Sequence, residues 1–451
     1  MEESSMKKTN NYNLICGLEV HAELKTKSKM FCGCKNDPFG ADKPNIHTCP
    51  VCLGMPGGLP LPNKAAIEWT IKVGLALNCK INLFSKFDRK NYFYPDLAKG
   101  YQISQYDIPF CYDGVLETSE GPVRIRRIHL EEDTGKLLHT EIKGKKVSLV
   151  DFNRGGVPLI EIVTEPDIKT ASQAKEYSRK LRQILRYLDV ADCDMEQGGM
   201  RLEANISLQA EGSDQLPNYK VEVKNINSFK FMQQAVEFER VRHQEILDAG
   251  EIPDQETRGY NSQTGKTFSQ RSKEEAEDYR YFPDPDIPPI RFTTNQIDDI
   301  RQHLPELPTA KISRWQNELG LQENYAQILT EEIGVARVLE TVFSKATTSN
   351  IQPNQIANAI VNKKIIIEPN STPEEIMEMF NKLGATDVVS TQDLSEAINQ
   401  VIKENPEAVI KYQSGDPKII GFFMGQVLRS MGKKVDANLL RSTLQEMLSK
   451  E

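Results

Sequence analysis

The sequence predicts an α+β protein: an antiparallel sheet carrying helices on one face, followed by an all-helical C-terminal region. Three observations predict it. Between about residues 13 and 290, short runs alternate apolar and polar residues with a period of two, and longer runs between them have helical spacing. Pro283-Asp284-Pro285-Asp286-Ile287-Pro288-Pro289 is stiff and cannot pair as a central strand, which makes it a boundary. From Thr309 onward the pattern is almost entirely helical. A chain of 451 residues also exceeds one ordinary core, so two or three domains are expected.

The first strand is the most informative. In Gly17-Leu18-Glu19-Val20-His21-Ala22-Glu23-Leu24, the apolar residues share one face and Glu19, His21 and Glu23 share the other. Two carboxylates around an imidazole bind metal or move protons; in isolation such a face is more often simply solvated. The pattern recurs. Arg201, Glu203, Asn205 and Ser207 alternate with Leu202, Ala204, Ile206 and Leu208, and Glu222 and Lys224 alternate with Val221 and Val223. In His129-Leu130-Glu131-Glu132-Asp133, strict alternation puts Glu131 on the polar face, and a β-bulge could re-aim either glutamate. Clustered acids repel unless a cation lies among them. Oxygen donors of this kind suit Mg²⁺, with His21 as an atypical ligand or a water-orienting neighbour.

The helices follow. Residues 63–78 place Ala66, Trp69, Val73, Leu75 and Leu77 on one broad face. Residues 169–188 bury Tyr177, Leu181, Ile184, Leu185 and Leu188, and residues 228–249 end at Gly250. In the C-terminal region Thr372 is a cap, Pro373 fits the first helical position, and Glu375 closes a capping box.

Four of the eight cysteines crowd together as Cys32-x-Cys34 and Cys49-x-x-Cys52. In a reducing cytosol these paired thiols read as ligands of a closed, structural Zn²⁺ site. The bland alternative is two unrelated thiol pairs. A net charge of -8 argues against wholesale electrostatic wrapping of nucleic acid. A local basic patch remains: Lys411, Lys418, Arg429, Lys433 and Lys434 face only Asp416, a set suited to a phosphate backbone or to a solvated helix face. The start of the chain has no signal or transit pattern, and no apolar run is long enough to span a bilayer, so no membrane association and a cytoplasmic location are expected.

Several motifs fail. Gly265-Lys266-Thr267 has the wrong upstream spacing for a P-loop. Neither a Rossmann glycine fingerprint nor an amidase nucleophile segment is present. Any ATP use must rest on acids, metal and bases on the sheet. The run from Asp88 to Asp96 is dense in such groups: Arg89 and Lys90 could clamp phosphates, and Tyr92 and Tyr94 could stack. A packed aromatic loop with solvated charges is the alternative.

Long segments then carry a resemblance. GLEVHAEL from Gly17, CPVCLGMPGGLP from Cys49, KFDRKNYFYPDLAKGYQISQYD from Lys86, HLEEDTGKL from His129, VDFNRGGVPLIEIVTEPD from Val150, YKVEVKNINSF from Tyr219, RSKEEAEDYRYFPDPD from Arg271 and GFFMGQVLRSMGK from Gly421 run in family order over essentially the whole chain. The chain resembles the B subunits of the bacterial aspartyl/glutamyl-tRNA amidotransferases, the GatB family. The resemblance implies a cradle domain over 13–292 with a glutamine-synthetase-like sheet and the cysteine loop 32–52. A helical domain over 293–370 and a YqeY-like tail over 371–451 would follow. It implies a carbon–nitrogen ligase that phosphorylates the side chain of Glu-tRNA(Gln) or Asp-tRNA(Asn) with ATP. Ammonia from the amidase, or A, subunit would displace the phosphate, and a small C subunit would complete a heterotrimer. By position it assigns magnesium to Glu19, His21, Glu132 and Glu222, and selects Glu132 where alternation favours Glu131. Glu203 stands where many members have aspartate. Lys90 and Tyr92 match cradle-lining residues and are the catalytic candidates; the tail would bind tRNA. The rival function is a tRNA-binding scaffold without catalysis.

Overall fold

Strand β1 (Tyr12–Glu23) lies at the centre of a nine-stranded sheet. The structure, a computed structural model, describes residues 11–272, 278–368, 370–384, 391–414, 418–431, 435 and 437–448. The chain divides into two units, Met1–Lys311 and Ile312–Glu451.

In the first unit β1 is followed by α1 (Lys64–Ala76), β2 (Lys80–Ile81), β3 (Phe84–Ser85), β4 (Asp88–Asn91), β5 (Tyr101–Ser104), β6 (Cys111–Thr118) and β7 (Gly121–Glu132). Next come β8 (Lys136–Ile142), β9 (Lys145–Asp151), β10 (Pro158–Thr164), α2 (Ala171–Tyr187), β11 (Met200–Ala210), β12 (Val221–Ile226) and α3 (Phe229–Asp248). The unit ends with β13 (Glu256–Asn261), β14 (Lys266–Ser272), β15 (Phe282–Pro283), β16 (Ile290–Arg291) and α4 (Thr294–Gln302). The large sheet has the order β14-β13-β12-β11-β1-β10-β7-β6-β2. Its neighbours are antiparallel, as expected, except β12 and β13, which are parallel. The exception follows from connectivity, since α3 lies between them and a helical crossover returns the chain in the same direction.

The apolar residues of the strands form one core with the helices. Leu18, Val20, Ile160, Ile162, Leu202, Ala204 and Val223 pack in the same cluster as Ile71, Leu181, Leu185 and Val236. Helix starts are locally determined: Asn63, Thr170 and Ser228 accept hydrogen bonds from the backbone N–H of Ala66, Gln173 and Phe231. Gly250, at φ 82°, follows α3 as a helix-ending glycine should. The segment that failed as a P-loop is the β13–β14 hairpin, with Gly265 at φ 67°. Residues beyond 292 still belong to this unit, because α4 packs on α1 and Ile297 enters the core.

The remaining helices are α5 (Pro308–Leu319), α6 (Glu323–Leu329), α7 (Ile333–Thr348), α8 (Pro353–Val361), α9 (Pro373–Gly384), α10 (Thr391–Glu404), α11 (Pro406–Gln413), α12 (Ile419–Met431) and α13 (Ala437–Leu448). In the second unit Trp315 packs edge-on against Phe343, and Leu394, Ile398, Phe423, Val427, Leu440 and Leu444 form a separate core cluster. The box at 372–375 forms: Thr372 N–H donates to Glu375 Oε2 at 2.8 Å and Glu375 N–H to Thr372 Oγ1 at 3.3 Å. Among the described residues no helix is long and apolar enough to cross a membrane.

Candidate functional site

Strand pairing assembles the polar face. Glu19 lies opposite Glu203, and Asn205 opposite Glu222. His21 lies between Arg201 on one side and Glu161 on the other, and Glu161 lies opposite His129. Five strands thus bring their polar positions into one row. Two groups with ligand atoms within 4.8 Å of one another result: Glu19, Glu203 and Glu222, and His21, Glu131 and Glu161. Glu19 and His21 are two residues apart on β1, so the groups are neighbours, about 7 Å apart by strand rise.

Each group is neutralised in its own way. Lys224 Nζ lies 3.1 Å from Glu203 and 3.7 Å from Glu222, and Asn205 Nδ2 donates to Glu19 at 2.8 Å. Burial first, then Glu161, Glu203 and Glu222, raise the pKa of Glu19. In the second group Glu161 Oε2 lies 3.4 Å from His21 Nε2 and 3.1 Å from His129 Nε2. Burial works against the His129 imidazolium, but Glu161 and Glu131 carry its pKa up to about 9. Burial would raise Glu161, and the two histidines hold it well below the usual range. Both groups fit hard cations: their donors are carboxylate oxygens and one imidazole, concentrated on a single face.

Lys90, on β4, faces the same groups. Its Nζ lies 4.8 Å from the Tyr279 ring centroid and 5.8 Å from that of Tyr92. Burial disfavours its charge, yet Glu131, Tyr281 and Glu161 hold its pKa above the ordinary lysine value. The Tyr92 hydroxyl donates to Gln102 at 3.4 Å. Arg89 does not join them: it pairs with Asp284 at 2.8 Å and Asp286 at 2.9 Å and stacks on Tyr101. The expected phosphate clamp at Arg89 is instead a bolt between β4 and the proline-rich segment.

Glu132 stands apart from the other residues that the resemblance assigns to magnesium. It is not in either group; its carboxylate accepts from Lys99 at 2.7 Å and from the Ile103 N–H at 3.0 Å. Glu131 stands with His21 and Glu161 and accepts from Ser104 at 2.9 Å. The register is continuous here, Leu159 opposite Glu131 and Pro158 opposite Glu132, so no bulge re-aims the strand and adjacent side chains take opposite faces. Sequence reasoning passed over Glu161 and left His129 without a role. The available signal was a lone glutamate inside the apolar run Pro158–Thr164.

The four cysteines also converge. Cys32, Cys34, Cys49 and Cys52 present sulfurs within 4.8 Å of one another, and those of Cys49 and Cys52 are 3.8 Å apart. That is about the edge of a tetrahedron of sulfurs around a metal at roughly 2.3 Å. Cys49 N–H donates to Cys52 Sγ at 3.1 Å. A hydrogen bond from Cys32 draws the Cys52 thiol down to about 5 despite burial. The donor set fits a soft, four-coordinate cation.

The first unit and the tail both match known proteins. The GatB/GatE catalytic domain matches residues 14–298, and a second family, described as the GatB domain, matches residues 324–448. The chain belongs to the GatB family. It is 44% identical to the aspartyl/glutamyl-tRNA(Asn/Gln) amidotransferase B subunit of Thermodesulfovibrio yellowstonii, over 97% of this chain and 99% of that protein. It is 43% identical to the protein of the same name from Thermomicrobium roseum, with the same coverage. In this GatB-family chain the tail's expected anion patch is only partly described. Lys411 on α11, Lys418 just before α12, and Arg429 on α12 are exposed, whereas Lys433 and Lys434 lie outside the described residues.

Proposed function

We propose that this GatB-family chain is the activating subunit of a tRNA-dependent amidotransferase. Its substrate is the side-chain carboxylate of glutamate or aspartate on tRNA(Gln) or tRNA(Asn). The carboxylate oxygen attacks the γ-phosphorus of ATP and ADP leaves. Ammonia, made from glutamine on the separate amidase chain of the complex, attacks the acyl carbon and phosphate leaves with the C–O electron pair. A small third chain completes the heterotrimer, which works in the cytoplasm, where the eight free cysteines stay reduced.

One observation carries the reading: two carboxylate groups lie side by side on the large sheet, and the half-buried Lys90, on β4 of a separate three-stranded sheet, interacts with Glu131 and Glu161 of the second group. Acids alone repel both a phosphoryl group and a substrate carboxylate. Glu19, Glu203 and Glu222 would hold one Mg²⁺, and His21, Glu131 and Glu161 a second. Bound Mg²⁺ supplies charge neutralisation to the transferring phosphoryl group. Lys90 adds a cation beside the second group, where partial burial strengthens its pull on developing negative charge. Tyr92 flanks Lys90 and holds its direction through the ring. The four thiolates hold Zn²⁺ in a closed, structural site.

The test uses the co-purified complex with ATP, Mg²⁺ and either Glu-tRNA(Gln) or Asp-tRNA(Asn). His21→Ala and Glu222→Ala should each lower amide formation roughly a thousandfold, even with free ammonia. Glutaminase activity of the amidase chain should persist. Amidation at near wild-type rate in either variant would place phosphoryl transfer elsewhere.

A further inference from the structure

Lys29 is a completely buried cation without an obvious countercharge. Its side chain is 0% exposed. Its Nζ donates to one acceptor, the carbonyl of Phe152 at 2.9 Å, and among the described residues it forms no ion pair with a carboxylate. An ammonium has three donors, and isolating its charge from water costs several kcal/mol unless something compensates. A neutral carbonyl is not sufficient compensation.

One candidate is the cysteine site. Lys29 N–H donates to the Cys34 carbonyl at 3.0 Å, so the backbone of the first cysteine pair is tied to this residue. A β carbon built on Gly156 would lie 3.5 Å from Lys29 Cδ and 3.6 Å from Cys52 Cβ. The two side chains therefore flank the same point. Glu132 also approaches it, but its oxygens are engaged by Lys99 and the Ile103 N–H.

Four thiolates around Zn²⁺ sum to a charge of about -2. We propose that Lys29 is the built-in countercation of this tetrathiolate site, and that the buried ammonium and the metal-loaded thiolates each stabilise the other. The inference rests on the zinc reading of the four cysteines. The field of Lys29 also favours the thiolate of Cys52, after the hydrogen bond from Cys32 and the Cys49 N–H. Partners of metal ligands that act from behind commonly change metal affinity by about 10–100-fold.

The coupling is reciprocal, which makes it measurable as a cycle. Full-length wild type, Lys29→Met and Lys29→Arg are each prepared with zinc and after its removal. Metal content of the wild type tests the zinc reading on its own: a chain purified without chelator and lacking zinc removes that reading. With zinc shown, competition against a chromophoric chelator measures affinity. Lys29→Met should bind zinc at least tenfold more weakly and lose it faster. Lys29→Arg, which keeps the charge, should stay within roughly threefold of wild type. Zinc should raise the melting temperature of wild type more than that of Lys29→Met, because the metal-free wild type carries the uncompensated charge. A purely space-filling lysine would give equal shifts, and equal affinities and shifts would overturn the proposal. Should Lys29→Met fail to fold, Lys29→Gln carries the same comparison.

Discussion

Glu131 and Glu132 are adjacent, identical in chemistry and opposite in surroundings. One stands between two histidines; the other is bound by a lysine and a backbone N–H. Glu131→Gln should therefore raise the Mg²⁺ concentration needed for ATP-dependent activation and lower its rate at least a hundredfold. Glu132→Gln should leave the Mg²⁺ requirement unchanged; a Mg²⁺ titration of both variants measures this, and equal shifts would erase the distinction. A second buried glutamate tests stability. Glu239 is fully buried, which alone would raise its pKa, but His243, Arg242 and Thr267 hold it down at about 2. Its pKa is thus lower folded than unfolded, so its contribution is complete above about pH 4.5 and is lost as pH falls toward 2. The difference corresponds to about 3 kcal/mol at neutral pH. Glu239→Gln should melt well below wild type at pH 7, and the two curves should converge only as pH falls from about 4.5 toward 2. Parallel curves would show that ionisation of Glu239 is not what stabilises the fold.

At the scale of elements, local chemistry is separable from tertiary packing. Helix α9 starts on a box of two hydrogen bonds that the four residues from Thr372 to Glu375 make among themselves. Thr372→Ala should cost about 1 kcal/mol. Hydrogen exchange should rise over residues 373–384 and stay unchanged in the sheet of the first unit; a uniform rise would mean that the cap supports more than its own helix. The three large helices of the first unit show the same local determination in Asn63, Thr170 and Ser228. The strands differ, since alternation assigns faces but not neighbours. Nothing in the run Pro158–Thr164 states that it lies beside β1, yet that adjacency puts Glu161 against His21.

At the scale of the whole molecule, the acidic chain gathers its carboxylate groups on the sheet of the first unit and exposes Lys411, Lys418 and Arg429 in the second. The tRNA-binding role that the resemblance implies for the tail predicts that reversing Lys418 and Arg429 together raises KM for the aminoacyl-tRNA roughly tenfold and leaves kcat nearly constant. The same pair should flatten the salt dependence of tRNA binding. A fall in kcat at constant KM would instead tie the tail to the chemical step.

The sequence by itself determined the two-part α+β plan, the helix caps, the polar face of Glu19, His21, Glu203 and Glu222, and the pairing of cysteines. These are properties of period and short spacing, which travel with a few neighbouring residues. Alternation also put Glu131 on the side of His21, where positional resemblance selected its neighbour. Only the tertiary structure decided which acids share a site, that Arg89 is absorbed by Asp284 and Asp286, and that β13 runs parallel to β12. The physical reason is that a carboxylate's role is set by charges within a few ångströms of it. In a sheet those charges come from strands whose order is fixed by how the helices cover the core, and that order has no local signature in the chain.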